Sequence, residues 1–174
     1  MESLIAVIVA VGLILLAGLT VFERAIAAQT ELTTTWVEVQ ELVAERSATE
    51  LSIVDADVDN GGNFIDITLR NDGQTRLTDL ERWDVLVQHY RNNNMYFGWY
   101  DYRANATSPG QWTSAGIYLD AASFTPEVFE PGILNPGEEM LIQIQLTSKL
   151  TNSKTAMITV GTPNGVHVST FVTR

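Results

Sequence analysis

The hydrophobic pattern of the chain begins with a long apolar run and then changes period twice. Residues Leu4 to Phe22 are nineteen consecutive positions without a charge. As a helix with a rise of about 1.5 Å per residue, the run is about 28 Å long, close to the hydrocarbon thickness of a bilayer. It therefore predicts a helix that either crosses a membrane or forms the core of an assembly.

The pattern stays helical well past this run, with apolar side chains three and four positions apart. The threonines at Thr30 and Thr33 to Thr35 lower the helix propensity, because a branched β-carbon restricts the rotamer against the preceding turn. We therefore expect helix from about residue 2 to about residue 48, amphipathic in its second half and bent near the threonines. The apolar side chains on one face of this half are Leu32, Trp36, Val39 and Val43.

From Thr49 onward, apolar residues recur at every second position, which is the period of a half-buried strand. The clearest cases are FIDITLR at Phe64 to Arg70 and MLIQIQL at Met140 to Leu146. Turns rich in Gly, Asn and Pro separate the segments, as in an all-β sandwich. Arg103 to Gly116 is polar and is predicted to be a surface loop. The other predicted strands are Glu50 to Val58, Trp83 to Tyr90, Met95 to Tyr102, Ile117 to Leu119, Thr155 to Thr162 and Val166 to Val172.

These elements predict an α+β architecture, with a long N-terminal hydrophobic helix at residues 1–48 and an all-β immunoglobulin-like sandwich head at residues 49–174. Such a helix exposes too much apolar surface for a soluble monomer, so it must lie in lipid or pack against copies of itself. Small residues let helix backbones approach closely. A plain single-pass membrane anchor is the alternative. The residues assigned to the assembly helix are Glu2, Leu4, Ala6, Ala10, Gly12, Ala17, Gly18, Phe22, Leu32, Trp36, Val39 and Val43.

The flanks of the apolar run do not fit a secretory signal peptide. Such a peptide needs a basic segment before the run and a small-residue cleavage site after it. Met1, Glu2 and Ser3 precede the run, and Glu23 and Arg24 follow it. We interpret the sequence as a mature chain from which a basic leader has been removed.

Charge and composition disfavour several function classes. The formal net charge of −11 disfavours nucleic-acid binding, because phosphates would be repelled. The chain has no cysteine, and therefore neither a disulfide framework nor a thiolate metal site. Its histidines, His89 and His167, lie in predicted strands, without a serine nucleophile elbow or a phosphate loop elsewhere in the sequence. We therefore predict no enzymatic activity, no catalytic residue and no cofactor.

One acidic stretch partly matches a calcium-binding loop. Oxygen-bearing side chains recur at alternate positions, as in the helix–loop–helix calcium site. The sixth place of the pattern is Asn60 rather than glycine, and Asp66 replaces the bidentate glutamate. Strand alternation explains the same acids as a solvated face, and no metal is predicted. The weak metal candidates are Asp55, Asp57, Asp59, Asn63 and Asp66.

Two further segments indicate surface features of the head. The aromatic run MYFGWYDY at Met95 to Tyr102 is predicted to place one strand face in the core and the other in an interface, with sugar stacking as the alternative. Asn105 begins the sequence Asn105-Ala106-Thr107, which is an N-glycosylation sequon in a polar segment. Asn105 is therefore the candidate glycosylation site.

Three stretches behind the helix resemble segments of a known family. They are ITLRNDGQTRL at Ile67 to Leu77, LNPGEEM at Leu134 to Met140 and TPNGVHV at Thr162 to Val168. In this order, behind an acid beside a long apolar helix, they resemble type IV pilin-like filament subunits, and in particular archaellins, the subunits of the archaeal swimming filament. The resemblance implies a helical homopolymer with bundled helices inside and heads outside.

The same resemblance implies partners and a location. Family members are held in the membrane as precursors, cut by a prepilin-type peptidase and extracted by an ATP-driven platform, and they end in an extracellular surface filament. In pilins a glutamate near the cleaved end pairs with the amino terminus of a neighbour. Here Glu2 is second rather than fifth, so a solvated Glu2 favoured by the helix dipole is an equal alternative.

The predicted function is therefore a structural subunit that self-assembles into an extracellular filament for swimming motility. Two alternatives remain open at this point. One is an adhesive type IV pilin. The other is a single-copy, membrane-anchored β-sandwich that acts as an accessory or binding protein of the cell envelope.

Overall fold

The chain forms one long helix followed by a head of short strands. A computed structural model describes residues 2–92, 94–105 and 108–174, with side chains from Ile5 onward except Ala6. The helix, α1, spans Glu2–Ala48. Two compact units, Met1–Ala44 and Glu45–Arg174, divide the chain, so the last helical residues group with the head. The predicted α+β class, a helix followed by a β-sandwich, is confirmed.

Helix α1 continues without interruption through its threonines. Thr30, Thr33, Thr34 and Thr35 each donate a hydroxyl hydrogen bond of 2.8–3.0 Å to the carbonyl four residues earlier. This bonding satisfies the hydroxyls within the helix, at some cost to its straightness. By length and composition α1 is able to cross a membrane, and its most apolar part has a mean hydropathy of 2.1.

The described part of the chain places nine strands in the head, and these are β1 (Leu51–Val58), β2 (Phe64–Asn71), β3 (Asp84–Arg91), β4 (Asn94–Tyr102), β5 (Gln111–Asp120), β6 (Thr125–Pro126), β7 (Glu139–Gln145), β8 (Thr155–Gly161) and β9 (His167–Thr173). The first sheet has the order β1-β2-β7-β5, with β6 beside β5, and the second has the order β4-β3-β8-β9. Pairing within each sheet is antiparallel. A short parallel pairing of Asp101 with Gln111 and of Tyr102 with Trp112 links the sheets.

The hydrophobic core lies on the inward positions of both sheets. The alternation that predicts β2 and β7 is realised, because Ile67 of β2 and Ile142 of β7 are cross-strand partners and both are fully buried. Val85 and Val87 of β3 and Ile158 of β8 are likewise fully buried in the second sheet. Each such side chain stabilises the fold by about 1.5–3 kcal/mol.

One sequence prediction about the head is wrong. Residues 103–116 are not a surface loop throughout, because β5 begins at Gln111 and buries Trp112 and Thr113. The Trp112 ring packs edge-on against Tyr102, with ring centroids 4.9 Å apart. A register shift between Ser114 and Gly116 breaks the alternation of β5. A search for period-two hydrophobicity therefore misses the first half of this strand.

Candidate assembly surfaces

The first candidate surface is the apolar side of α1. Ala10, Gly12, Ala17, Gly18 and Phe22 are all exposed. A Cβ added at either glycine would meet no heavy atom within 4 Å, so the helix backbone is open to close approach there. The side chains of the other residues assigned to this half of the assembly helix lie outside the described residues, and they are Glu2, Leu4 and Ala6.

The second half of α1 carries an exposed apolar stripe. Its members were predicted from their spacing, and they are Leu32, Trp36, Val39 and Val43, with exposed fractions between 45% and 66%. The stripe extends an eleven-residue repeat that begins earlier in the helix. Residues eleven apart lie on one face, because three helical turns contain about 10.8 residues. The apolar pairs at this spacing are Val21 with Leu32, Ala25 with Trp36, Ala28 with Val39 and Leu32 with Val43.

The head gathers the three stretches that carry the archaellin resemblance into one group of buried polar residues. We call this group the base cluster, and it consists of Thr49, Asn71, Glu138, Thr162 and Asn164. Each member is at most 8% exposed. Since buried polar groups are costly unless they are hydrogen-bonded, the partners of these side chains decide whether the cluster is stable.

Asn71 is the member of the base cluster that is fully buried. Its side-chain amide donates to the carbonyl oxygens of Thr75 at 2.8 Å and Leu134 at 3.0 Å. Its Oδ1 accepts from the backbone N–H of Gly73 at 3.1 Å. The backbone of Asn71 also bonds to Gly137 and Glu138. One side chain thus joins the Ile67–Leu77 stretch to the Leu134–Met140 stretch.

Asn164, in the third stretch, ties the base cluster to the segment that follows α1. Its side-chain nitrogen donates to the Thr49 hydroxyl at 2.8 Å, while its Oδ1 accepts from the Thr162 hydroxyl at 2.5 Å. The Thr49 hydroxyl in turn donates to the carbonyl of Glu45 at 2.8 Å. These bonds form a chain from the last turn before β9 to the segment Glu45–Thr49, all within the head unit.

Backbone bonds hold the same segment against the loop after β2. Gln74 and Thr75 donate their N–H groups to the carbonyl of Ala48 at 2.7 and 3.2 Å, and Gly73 donates to the carbonyl of Glu50 at 3.1 Å. A Cβ at Gly73 would lie 2.6 Å from the Ala48 carbonyl oxygen and inside contact distance of the Glu50 nitrogen. Only glycine therefore fits at position 73, where the two backbone segments come so close. Sequence reasoning found these motifs but missed that they meet.

The carboxylates of Asp59 and Asp66, in the acidic stretch, accept hydrogen bonds within the head. Oδ1 of Asp59 accepts from the N–H groups of Asn63 at 2.6 Å and Phe64 at 2.8 Å. Burial opposes ionisation of Asp59, but the backbone donors outweigh it and leave its pKa below the usual value. Asp66 accepts from the Gln143 side chain at 3.0 Å, while Asp55 and Asp57 are exposed on β1. Within residues 2–92, 94–105 and 108–174, no three His, Asp or Glu side chains converge as a metal site requires.

The two histidines lie in different surroundings. His167 is exposed in β9, whereas His89 is 1% exposed and its ring stacks on Tyr96 with centroids 5.4 Å apart. Neither ring nitrogen of His89 has a hydrogen-bond partner in the described part of the chain. Burial lowers the pKa of His89 below its usual 6.5, and the nearby Ser148 backbone, although it makes no full hydrogen bond with the ring, partly offsets this effect. Burial therefore favours the neutral form of His89 in the folded head.

The predicted split of the aromatic run in β4 is partly visible in the single chain. Tyr100 is 1% exposed in the core, whereas Phe97 and Trp99 are each 67% exposed on the outer side of the sheet. Asn105, the candidate glycosylation site, is exposed in a turn after β4. The other two residues of its sequon, Ala106 and Thr107, lie outside the described residues.

Comparison with known proteins rests on structure, because no family model and no curated protein matches the sequence. A chain of the archaeal flagellum of Methanospirillum hungatei strain JF1 is 14% identical, with a TM-score of 0.58, over 98% of this chain and 92% of its own. Flagellin FlaB1 from Methanocaldococcus jannaschii is 10% identical, with a TM-score of 0.52, over 71% of this chain and 88% of its own. This chain has an archaellin-like fold. The resemblance seen in the sequence is therefore confirmed for the fold.

A protein from a different part of the archaellum, its periplasmic stator, also has this fold. A chain in the archaellum periplasmic stator complex of FlaF and FlaG from Sulfolobus acidocaldarius is 26% identical to this one, with a TM-score of 0.50. The match covers 71% of this chain and 88% of that one. The archaellin-like fold therefore does not by itself separate filament subunits from stator proteins.

Proposed function

We propose that this chain is a structural, non-enzymatic component of an archaellum, and that it is a subunit of the extracellular swimming filament. The observation that carries the proposal is the exposed apolar stripe in the second half of α1. A bilayer with a hydrocarbon core of about 30 Å accommodates the run Leu4 to Phe22, but α1 is more than twice that length, about 70 Å. A single-pass anchor would leave the stripe from Leu32 to Val43 outside the bilayer and exposed to water. Packing against other helices would bury it.

Burial of this stripe supplies a definite driving force. Full burial of an aliphatic or aromatic side chain is worth about 1.5–3 kcal/mol. Because Leu32, Trp36, Val39 and Val43 are about half exposed, covering all four is worth about 3–6 kcal/mol per subunit before the costs of association. The run Leu4 to Phe22 gains little hydrophobic energy on leaving lipid, since lipid tails are as apolar as a helix bundle. The stripe therefore favours assembly, and the small residues of the run permit it.

The eleven-residue repeat predicts the geometry of the helix bundle. An exact seven-residue repeat imposes a left-handed supercoil, whereas an eleven-residue repeat of about 3.67 residues per turn gives a right-handed one. The repeat through Val21, Leu32 and Val43 therefore favours helices that are nearly straight or cross with a right-handed twist. A contact of this kind between successive copies need not close into a ring and then generates an open filament.

The proposal also assigns a sequence of environments to the chain. The apolar run holds a precursor in the cytoplasmic membrane, a prepilin-type peptidase removes its leader, and an ATP-driven platform transfers the subunit into the growing filament. Glu2 then lies at the start of the bundled helix, and Asn105 lies on the extracellular head as an acceptor for a glycan. The archaellin-like fold supports this order of events by analogy.

Self-assembly is tested with the purified full-length chain. On removal of detergent, we expect filaments of uniform width by negative-stain electron microscopy. The variant Val39→Glu places a charge in the stripe and should abolish them, because an unpaired buried charge is costly. Thr34→Glu adds the same charge on the opposite side of the helix and should still assemble. Wild-type material that never assembles without lipid, or unchanged assembly of Val39→Glu, would contradict the proposal.

A second candidate function, a stator protein in the periplasm, is favoured by one specific observation. The matched 71% of this chain is 26% identical to a chain of the FlaF and FlaG stator complex, whereas the identity to the flagellar chains is 14% and 10%. Gene deletion separates the candidates. Loss of the filament itself supports the filament subunit, whereas intact filaments that no longer propel the cell support the stator. A deletion strain that swims but does not attach would contradict both and favour an adhesive pilin.

A further inference from the structure

The outer face of the second sheet is apolar where a solvated sheet face is expected to be polar. Met95, Phe97 and Trp99 of β4 are 57%, 67% and 67% exposed, and Phe171 of β9 is 68% exposed. Burial in the core does not explain large exposed aromatic side chains on the outer positions of two strands. Contiguous apolar patches of this kind mark interaction sites.

Strand register shows that these side chains form one continuous surface. Phe97 pairs with Gln88, Gln88 with Met157, and Met157 with Phe171, so one row crosses all four strands. At a strand spacing of about 4.8 Å this row is about 14 Å wide. A parallel row runs through Trp99, Leu86, Thr159 and Ser169. We call these two rows, together with the adjoining pair Tyr90 and Met95, the aromatic face.

The aromatic face carries no charged side chain. Its polar members are Gln88, Thr159 and Ser169, and the nearest acids on this side of the sheet, Asp84 and Asp101, follow the rows at one end. The outer side of the first sheet is different, because it carries Asp55, Asp57 and Asp66. In a chain with a net charge of −11, the aromatic face is thus where a second copy can approach without like-charge repulsion.

The area of the aromatic face is adequate for a protein partner. A large aromatic side chain buries about 150–250 Å² when it is fully covered. At about two-thirds exposure, Phe97, Trp99 and Phe171 together offer about 300–500 Å². Met95, Tyr90 and the polar neighbours bring the face close to the ~800 Å² per partner of a standard interface. A single sugar chain would cover only part of it.

We propose that the aromatic face binds the same face of a second copy of this chain, giving a two-fold symmetric pair of heads. A surface near the middle of a sheet is self-complementary under such symmetry, because each copy presents the same rows to the other. Gln88 lies on a central strand of the sheet, and its amide both donates and accepts, so two copies can satisfy each other near the axis. The two-fold axis of such a pair is not a symmetry of a filament whose subunits all point the same way, so the pair forms between subunits outside the filament and does not depend on the proposed function.

Site-specific cross-linking tests the contact, because the chain contains no native cysteine. Gln88→Cys places a thiol on β3, a central strand, within the aromatic face. Its matched control, Gln143→Cys, places a thiol on the outer side of β7, a central strand of the first sheet. Both side chains are partly exposed. With the full-length chain in detergent, which covers α1, a short thiol cross-linker should give covalent dimer from Gln88→Cys and little from Gln143→Cys.

A second variant shows whether the aromatic side chains are responsible. Phe97→Ser with Trp99→Ser, added to Gln88→Cys, replaces exposed residues, and the head should unfold at an unchanged denaturant concentration. The dissociation constant of the dimer should rise at least about tenfold, which the dependence of cross-linking on protein concentration measures. Equal cross-linking from both glutamine positions, no dimer, or a dimer indifferent to the serine substitutions would each overturn the inference.

The same experiment separates this inference from the proposed function. If Gln88→Cys cross-links in detergent but no filament forms when detergent is removed, the head contact stands and the filament proposal fails. If filaments form normally while Gln88→Cys gives no dimer at any concentration, the filament proposal stands and the head contact is overturned.

Discussion

Replacement of Asn71 should destabilise the head more than any exposed polar substitution. Asn71→Ala removes two donated hydrogen bonds of 2.8 and 3.0 Å and one accepted bond of 3.1 Å from a fully buried position. Each bond contributes about 0.5–1.5 kcal/mol net. The Leu134 carbonyl keeps a bond from the Leu77 N–H, and the Gly73 N–H keeps its bond to the Glu50 carbonyl, so the variant leaves chiefly the Thr75 carbonyl without its partner. The expected loss is about 2–4 kcal/mol, measured by denaturant unfolding of the full-length chain in detergent.

The shape-conserving variant Asn71→Asp sharpens this prediction. It retains an acceptor for Gly73 but directs a second oxygen at the carbonyls of Thr75 and Leu134, so it should destabilise the head at least as much as alanine does. Asn152→Asp makes the same change of charge at an exposed position and should shift stability by no more than about 0.5 kcal/mol. An Asn71→Asp protein within about 1 kcal/mol of wild type would refute the role given to the base cluster.

Two further substitutions have defined outcomes. Gly73→Ala should destabilise the head by about 1–3 kcal/mol in the same unfolding assay, since the added methyl group meets the backbone of residues 48–50. Gly161→Ala, whose Cβ would find its nearest atom at 3.7 Å, should be neutral, and equal losses at both glycines would contradict the packing argument. Burial holds the pKa of His89 below 6.5, so just below pH 6.5 the unfolded chain binds a proton at this residue that the folded chain does not bind. The free energy of unfolding therefore decreases as the pH falls below 6.5. Unfolding at pH 7.5 and 5.0 should show a loss of up to about 1.4 kcal/mol per pH unit in wild type that His89→Leu lacks and His167→Leu retains.

The elements predicted well from sequence are those in which one period dominates. The run from Leu4 to Phe22 has no charge to interrupt a helix, and β2 and β7 alternate cleanly because one face of each is buried against the other sheet. The first half of β5 was missed for a physical reason. Its register shift between Ser114 and Gly116 puts Trp112 and Ile117, which are five positions apart, on the same buried face, and no simple alternation describes that spacing.

The surfaces of the head depend on tertiary contacts that no local pattern contains. The aromatic run of β4 has large side chains on both faces, so its sequence does not indicate which side is the core. The base cluster joins Thr49, Asn71 and Asn164, and the last of these is 115 positions from the threonine to which it donates. Turn motifs identify such residues as special, but only the folded chain shows that they share hydrogen bonds.

Helical reconstruction by electron cryo-microscopy of filaments sheared from cells that make this protein tests the central claim most directly. The account predicts that the repeating subunit is this chain, with α1 in a central bundle of nearly straight or right-handed helices and with Leu32, Trp36, Val39 and Val43 buried between copies. Filaments built from a different chain, with this protein retained in the cell envelope, would contradict it.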